Sequence, residues 1–525
     1  MHDVGTRWTP LLGAHSRLGW NHPGPLLFWL GAPGQRAFGP SGVLATVALL
    51  HLLSVAASLG AARRLGAVTL LAIIGATAAV LIHSIGAVRL VDPWNPHLTY
   101  LPLLAFFVCA AASAERGPSW TLPAAVISGS LAAQSHLGAL PVVLAGVLGA
   151  VLWRLTIRRH EHAAGEATIP LEPTDGHRRK IWVGSVTLGI GLWSGPLLQQ
   201  LTEQPGNGGL LLQYILHRPG EQAGLADSLG AAARQLGFPP AWTFGREFGF
   251  LQVVRPAGIW TLGLSAAILA TAWASARRAG AGTAARLVSY AAWLGLVAVA
   301  AVTRTTDGLL AYVLRWTWPV GAFSAAAAAN GFLRSRPARA SRVIRPTALA
   351  IAVGITAVAS LATVIEISTT DLVPIQHNSI IVEELAREVR ATVPPDQYRL
   401  ETRGEELFAG NGESLGVDLY LHGYGIVFPA SSASSVRDDR TRTEANLPVL
   451  LVVGGGVRAP TGLPTGSKRV ASYWEGTPQQ DGLRRNITAR IVDGSASADD
   501  FRKLAQLPDR RHSYEVWLIP PAPQN

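Results

Sequence analysis

Residues 41–86 read SGVLATVALLHLLSVAASLG, then AARRLG, then AVTLLAIIGATAAVLIHSIG: two apolar runs separated by a short stretch that carries Arg63 and Arg64. A helix rises about 1.5 Å per residue, so about 20 apolar residues cross the roughly 30 Å hydrocarbon layer of a bilayer. In that layer each backbone N–H and C=O must be bonded within its own segment. The two runs are therefore read as transmembrane helices, and the arginine pair between them as a turn held on one side of the membrane.

Working outward, the same reading gives spans at 98–114, 120–136, 139–155, 181–201, 257–276, 284–303, 308–331 and 346–368, about ten in all. Pro102, Pro123 and Pro141 fall in three successive spans, where they are expected to break the helices beside a cavity or inside a bundle. Beyond residue 370 the pattern stops. Residues 371–525 hold 20 acidic and 17 basic side chains, against 13 and 27 in the first 370. The whole chain is 49% hydrophobic and only 15% charged, with mean hydropathy +0.27, where a soluble domain carries about 25% charge. The expected fold is mainly α: a polytopic transmembrane helical bundle over 1–370, then a soluble α/β domain over 371–525. In that second domain, helices are expected near 379–394 and 407–422, and strands at 397–402, 447–453 and 514–519. Residues 430–446 and 454–486 read as loops.

Arginine assigns the sides. Arg63/Arg64, Arg154/Arg158/Arg159 with Arg178/Arg179/Lys180, Arg277/Arg278 with Arg286, and the Arg334–Arg345 cluster fall in alternate loops, the cytoplasmic ones. Residues 1–40, 87–97, 202–256, the turn Arg304–Asp307 and the tail then face outward. The net charge of +11 lies wholly in the membrane part, so it reports topology rather than nucleic-acid binding. An outward start with no apolar stretch in residues 1–40 leads us to expect a further transmembrane helix upstream. The lone Cys109 excludes a disulfide framework. No phosphate-binding glycine loop, HExxH zinc motif or GxSxG elbow is present, which leaves nucleotide hydrolysis, zinc proteolysis and serine hydrolysis without support.

The outward segments hold the candidate residues. In residues 18–33 a short apolar helix at 25–32 is expected to lie on the bilayer surface, with Trp20 and Trp29 at headgroup depth. The next segment is Asp92-Pro-Trp-Asn95-Pro-His97, a carboxylate, an amide and an imidazole within six residues. Asp92 can act there as a general base or hold a divalent cation, Mg or Mn, against a phosphate. The alternative is that Asp92 and Asn95 cap the following helix. Arg315 falls about two turns into the 308–331 span beside Tyr312, Trp316 and Trp318. A membrane-embedded arginine is costly unless paired, so it suits a lipid phosphate, or else snorkels or pairs with Asp307. His22, His97 and His136 can contact substrate or be satisfied structural groups. Glu203 and Asn207, after the 181–201 span, can bind sugar hydroxyls or serve as caps. His160, Glu161 and His162 read as solvated loop.

The strings GWNHPGPLLFWLGAP, DPWNPHLTYLPLL, AAQSHLGALPVV, LTEQPGN and LLAYVLRWTW, in this order over roughly residues 1–370, resemble the actinobacterial branch of the GT-C glycosyltransferases. These polytopic enzymes are related in architecture to the protein O-mannosyltransferases and the lipid A aminoarabinose transferases. The resemblance implies an inverting transfer of a sugar from a polyprenyl-phosphate donor to a cell-envelope acceptor on the extracytoplasmic side. It also implies an acidic residue in each of the first two outward loops. Asp92 matches the second. Asp3 is the one carboxylate in residues 1–40, so either Asp3 serves as the first or that base lies upstream of Met1. Two other readings stand beside this one. One is a transporter or flippase of lipid-linked glycans, which inverted repeats and midplane charges would favour. The other is an inactive relative whose tail binds glycan.

Overall fold

The computed structural model describes residues 1–16, 18–66, 68–163, 175–217, 223–243, 253–306, 308–369, 373–403, 411–427, 446–454, 463–473, 477–492, 495, 497–507 and 513–521. Asp307, the expected loop at 430–445 and the side chains of His160, Glu161 and His162 lie outside that set. The chain divides into two compact units, Met1–Thr370 and Asp371–Asn525.

The first unit opens with a hairpin of β1 (His15–Ser16) and β2 (Trp20–Asn21) and is otherwise helical. Its helices are α1 (Leu26–Gly66), α2 (Val68–Ile85), α3 (Ala87–Val91), α4 (Tyr100–Arg116), α5 (Thr121–Ser135), α6 (Leu140–Ala163), α7 (Asp175–Leu192) and α8 (Ser194–Thr202). They continue with α9 (Asn207–His217), α10 (Leu225–Leu236), α11 (Trp260–Arg278), α12 (Gly282–Val302), α13 (Ala311–Leu314), α14 (Trp318–Arg334) and α15 (Ala338–Thr369). Six helical segments are long and apolar enough to cross a bilayer: Leu26–Gly66, Val68–Ile85, His97–Arg116, Leu137–Arg159, Gly282–Val302 and Val343–Thr369. The α7–α8 pair makes a seventh if counted as one span. The protein is a multi-pass membrane protein. The helices α5, α11 and α14 pack in the same bundle but are shorter or diluted by Ser, Thr and Trp.

Several sequence expectations change. The 181–201 span is not straight: α7 and α8 meet at a 49° bend around Trp193. Residues 1–40 are not one surface loop, because helix begins at Leu26 and runs into the first span through a kink at Gly39, whose φ of +61° only glycine adopts easily before Pro40. The 202–256 stretch contains α9 and α10. In α10, Ser228, Ala231, Ala232 and Gln235 share one buried face, a stripe too small and polar to register as apolar periodicity. Pro102, Pro123 and Pro141 break nothing. Each lies in the first turn of α4, α5 or α6, where no intrahelical N–H donor is needed.

The centre of the bundle is α4, which packs against α1, α5, α6 and α14. Leu103, Leu104, Phe107, Val108 and Cys109 are almost completely buried there. At its C-terminal end Glu115 accepts from Arg286 Nη2 (2.6 Å) and Nε (3.0 Å), from Trp153 Nε1 (2.8 Å) and from Thr283 Oγ1. A carboxylate at a helix end inside a bundle is tolerable only with such donors, and they tie α6 and α12 to α4. At the other end of α4 the Asp92–His97 segment feeds into the helix.

The second unit carries α16 (Val373–Thr392), β3 (Gln397–Arg403), α17 (Asn411–Leu421), β4 (Gly425–Val427), β5 (Val449–Val453), β6 (Lys468–Tyr473), α18 (Pro478–Val492), α19 (Ala498–Gln506) and β7 (Tyr514–Ile519). The sheet order is β4-β3-β5-β7-β6, parallel through β4, β3 and β5 and antiparallel through β7 and β6. All five residues of β5 are buried, which is why it reads as an unbroken apolar run. Ile381, Leu385 and Val389 of α16, with Leu415 and Leu419 of α17, pack on Leu400, Leu450 and Val452. The 454–486 stretch, expected as loop, contains β6 and the start of α18; Lys468, Arg469 and Ser472 are edge-strand polar residues that hid the strand.

Candidate functional site

Asp92 follows α3 in an extended conformation, φ −67° and ψ +123°, as suits a residue before proline. One carboxylate oxygen accepts from the Trp94 N–H at 3.0 Å, and the other lies 3.0 Å from His97 Nδ1. The following helix is not capped by either: neither the short 3₁₀ turn His97–Thr99 nor α4 takes a side-chain cap. His97 is buried, whereas the Asp92 side chain keeps 29% of its surface exposed. A half-buried carboxylate is thus set against a buried imidazole. Asn95 is buried, and its amide donates to the Ser135 carbonyl at 2.8 Å, which locks this segment to the end of α5.

Arg315 sits in the 3₁₀ turn Arg315–Thr317 between α13 and α14, not two turns inside a long helix. The side chain is nonetheless almost fully buried, with its guanidinium carbon 5.4 Å from the Trp318 ring. Asp92, Arg89 and Arg315 all lie near enough to His97 and Tyr100 to act on them electrostatically. Arg89 is anchored by a 2.8 Å bond to the Ile85 carbonyl. The Trp94 ring packs 4.9 Å from His97 and 5.0 Å from Tyr312. One centre therefore gathers a carboxylate, two guanidinium groups and three aromatic rings contributed by α3, the Asp92–His97 segment, α4, α13 and the Arg315 turn. Arg315 and Arg89 thus share this end of the bundle, both acting on Tyr100, and a charge buried in an apolar setting is costly without a partner.

His22 and His136 meet at a ring separation of 5.7 Å, and His22 also touches Trp20 at 5.3 Å. His22 Nδ1 accepts from the Leu137 N–H at 3.4 Å, and His136 Nδ1 from the Gly138 N–H at 3.1 Å. Burial, with His136 and His15 adding to it, pushes the His22 imidazole down to about 3, so it is a neutral acceptor. Trp316, buried, lies against Gly138, where a Cβ would have no room. Trp20 is not a headgroup anchor: it is buried against Tyr214, while Trp29 donates to the Pro10 carbonyl at 2.9 Å. Asn207 clasps the backbone of Asn21 with both ends of its amide, at 2.8 and 2.9 Å. Gln134 joins Leu26 N (3.3 Å) to the Leu192 carbonyl (2.8 Å).

The structure therefore brings Asp92, His97, Tyr312 and Arg315 together, with Asn95 linking them to the His22, His136 and Trp316 group. Glu203 stays exposed, bonded to Gln199 at 2.9 Å. Asp3 lies in the 1–9 turn, near the Met1 amino group. Sequence reading missed Arg89, Trp94, Tyr100 and His51. Trp94 and Tyr100 stand inside quoted strings, and His51 is an ionisable residue within an apolar span, a signal that was present. Among the described residues no three His, Cys, Asp or Glu side chains converge to hold a metal ion. Asp92 alone, with one oxygen accepting from Trp94 N–H and the other against His97, does not form a divalent site.

No protein-family model matches the chain, and no curated protein matches it significantly. Among solved structures, the crystal structure of ArnT from Cupriavidus metallidurans bound to undecaprenyl phosphate aligns over 96% of this chain and 90% of its own, at 13% identity and a TM-score of 0.40. Likeness of that order does not carry a fold family or an activity across.

Proposed function

We propose that the chain is an integral membrane glycosyltransferase of GT-C type. In this reading it takes a sugar from a polyprenyl-phosphate donor and delivers it, with inversion, to a cell-envelope acceptor on the extracytoplasmic side, where the second unit also lies. The observation that carries it is the half-buried Asp92 carboxylate, held by the Trp94 N–H and facing His97, with the buried Arg315 guanidinium acting on the same His97 and Tyr100 rings at one end of an apolar bundle.

Asp92 takes the proton of the acceptor hydroxyl as its oxygen attacks the anomeric carbon, and the bond from that carbon to the phosphate oxygen breaks. Negative charge then grows on the departing polyprenyl phosphate, where Arg315 and Arg89 stabilise it in a setting of low dielectric. Trp94 and Tyr312 supply the amphipathic faces against which a sugar ring or an isoprenoid packs. His22, His136 and Trp316 line the neighbouring wall. The test is capture of a photoreactive polyprenyl phosphate by the full-length protein in liposomes. Arg315→Gln should weaken capture by about tenfold or more, equivalent to about 1.4 kcal/mol, and Arg315→Lys by less. Equal capture by all three proteins removes the phosphate role from this site.

A further inference from the structure

On α1, one turn beyond Val47, which packs with Leu98 and Leu131, stands His51. It is buried inside the first membrane span, and neither of its ring nitrogens has a hydrogen-bond partner among the described residues. The polar group acting on it is His97. The hydroxyls along the same helix are used elsewhere: Ser54 donates to the Leu50 carbonyl at 2.7 Å, and Ser58 to the Ser54 carbonyl at 2.8 Å.

His97 has the complementary deficit. Its Nδ1 lies 3.0 Å from an Asp92 carboxylate oxygen without closing a hydrogen bond of good geometry; a carboxylate only accepts, so the neutral ring that faces it carries its proton on Nδ1. Nε2 is then a bare acceptor, buried and without a partner among the described residues. Two neighbouring imidazoles, one with an N–H to give and the other with a lone pair to fill, in a span where unmet polar groups are costly, complete each other.

We infer that His51 donates to His97 Nε2 through one enclosed water, and so extends the Asp92–His97 pair into a chain His51, His97, Asp92 with every donor pointing toward the carboxylate. This rests on the reading of Asp92 as the base. His51 is a positioning residue: it never meets substrate, and it keeps His97 as the Nδ1–H form that orients Asp92, as an outer partner fixes the tautomer of a metal-bound histidine. With Nδ1 turned to the Asp92 carboxylate, a neutral donor at Nε2 is the partner that fits.

The experiment is magic-angle-spinning NMR of the full-length, ¹⁵N-histidine-labelled protein in lipid, with His97 assigned by its loss in His97→Asn. In the wild type, Nδ1 should be protonated, Nε2 unprotonated and hydrogen-bonded, and a dipolar contact should join the His51 N–H to His97 Nε2. His51→Phe should shift the Nε2 resonance, and His51→Gln, whose amide still donates, should restore it. An Nε2 resonance unmoved by His51→Phe, or a missing His51–His97 contact in the wild type, overturns the inference; the second holds even if the Phe variant does not fold. Neither readout needs a substrate, so failure here leaves the glycosyltransferase reading standing. Loss of that reading would appear instead as transfer that is indifferent to Asp92.

Discussion

Asp92 and His97 are five residues apart, and the sequence alone made them neighbours, because two prolines hold the intervening backbone extended and turned. The hydrogen bond from Trp94 N–H to Asp92 is the local bond that an Asp two residues upstream makes habitually. Arg315 was visible as a charge within an apolar run. Its partners were not, since Tyr100 and Trp94 lie more than 200 positions away and only packing joins them. His22 illustrates the converse: an outward histidine that looked available is a buried neutral acceptor. Its ordinary value of 6.5 falls to about 3 in the folded protein, so the unfolded chain takes the proton first. The contribution of His22 to stability is therefore complete above about pH 6.5 and is lost as pH falls toward 3, at no more than about 1.4 kcal/mol per unit and less where water screens it. His22→Gln should flatten the acid limb of thermal stability between pH 6 and pH 4. Identical limbs in both proteins would show that His22 is already solvated.

Helix existence was legible wherever an apolar run was long, and boundaries failed where a local exception ruled. A positive φ at Gly39 turns surface helix into span, the bend at Trp193 splits one span into two, and a 3₁₀ turn rather than α-helix holds Arg315. None of these leaves a mark in hydropathy. At the C-terminal end of α4, Glu115 was missed because its three partner side chains come from two helices distant in sequence, Trp153 from α6 and Thr283 and Arg286 from α12. Each partner loses its acceptor if the carboxylate goes, so Glu115→Ala should cost about 3 kcal/mol. It should lower the thermal midpoint and yield in detergent while leaving the Asp92 region chemically unchanged. A midpoint within a degree of wild type would show that water or lipid replaces the carboxylate.

At the scale of the whole molecule, composition marked a change near residue 370 and the structure divides at Thr370, while the sheet order of the second unit was unreadable because β4 and β6 are short or polar. Sidedness rests on the arginine clusters. Cys109 is the lone native cysteine, so Cys109→Ala gives a clean background for single cysteines. A thiol replacing Ser467 should react with an impermeant maleimide in intact cells, and one replacing Arg278 only after permeabilisation; the reverse pattern inverts the topology. The central claim, that Asp92 is the base of a sugar transfer, is tested most directly by turnover of the full-length protein, reconstituted with a panel of polyprenyl-phosphate sugars and a cell-envelope extract as acceptor. The account predicts sugar transfer with stoichiometric release of polyprenyl phosphate by the wild type, and a loss of about 10²-fold or more in kcat in a folded Asp92→Asn protein that still binds donor. Transfer by Asp92→Asn at the wild-type rate would contradict it and return Asp92 to a structural turn.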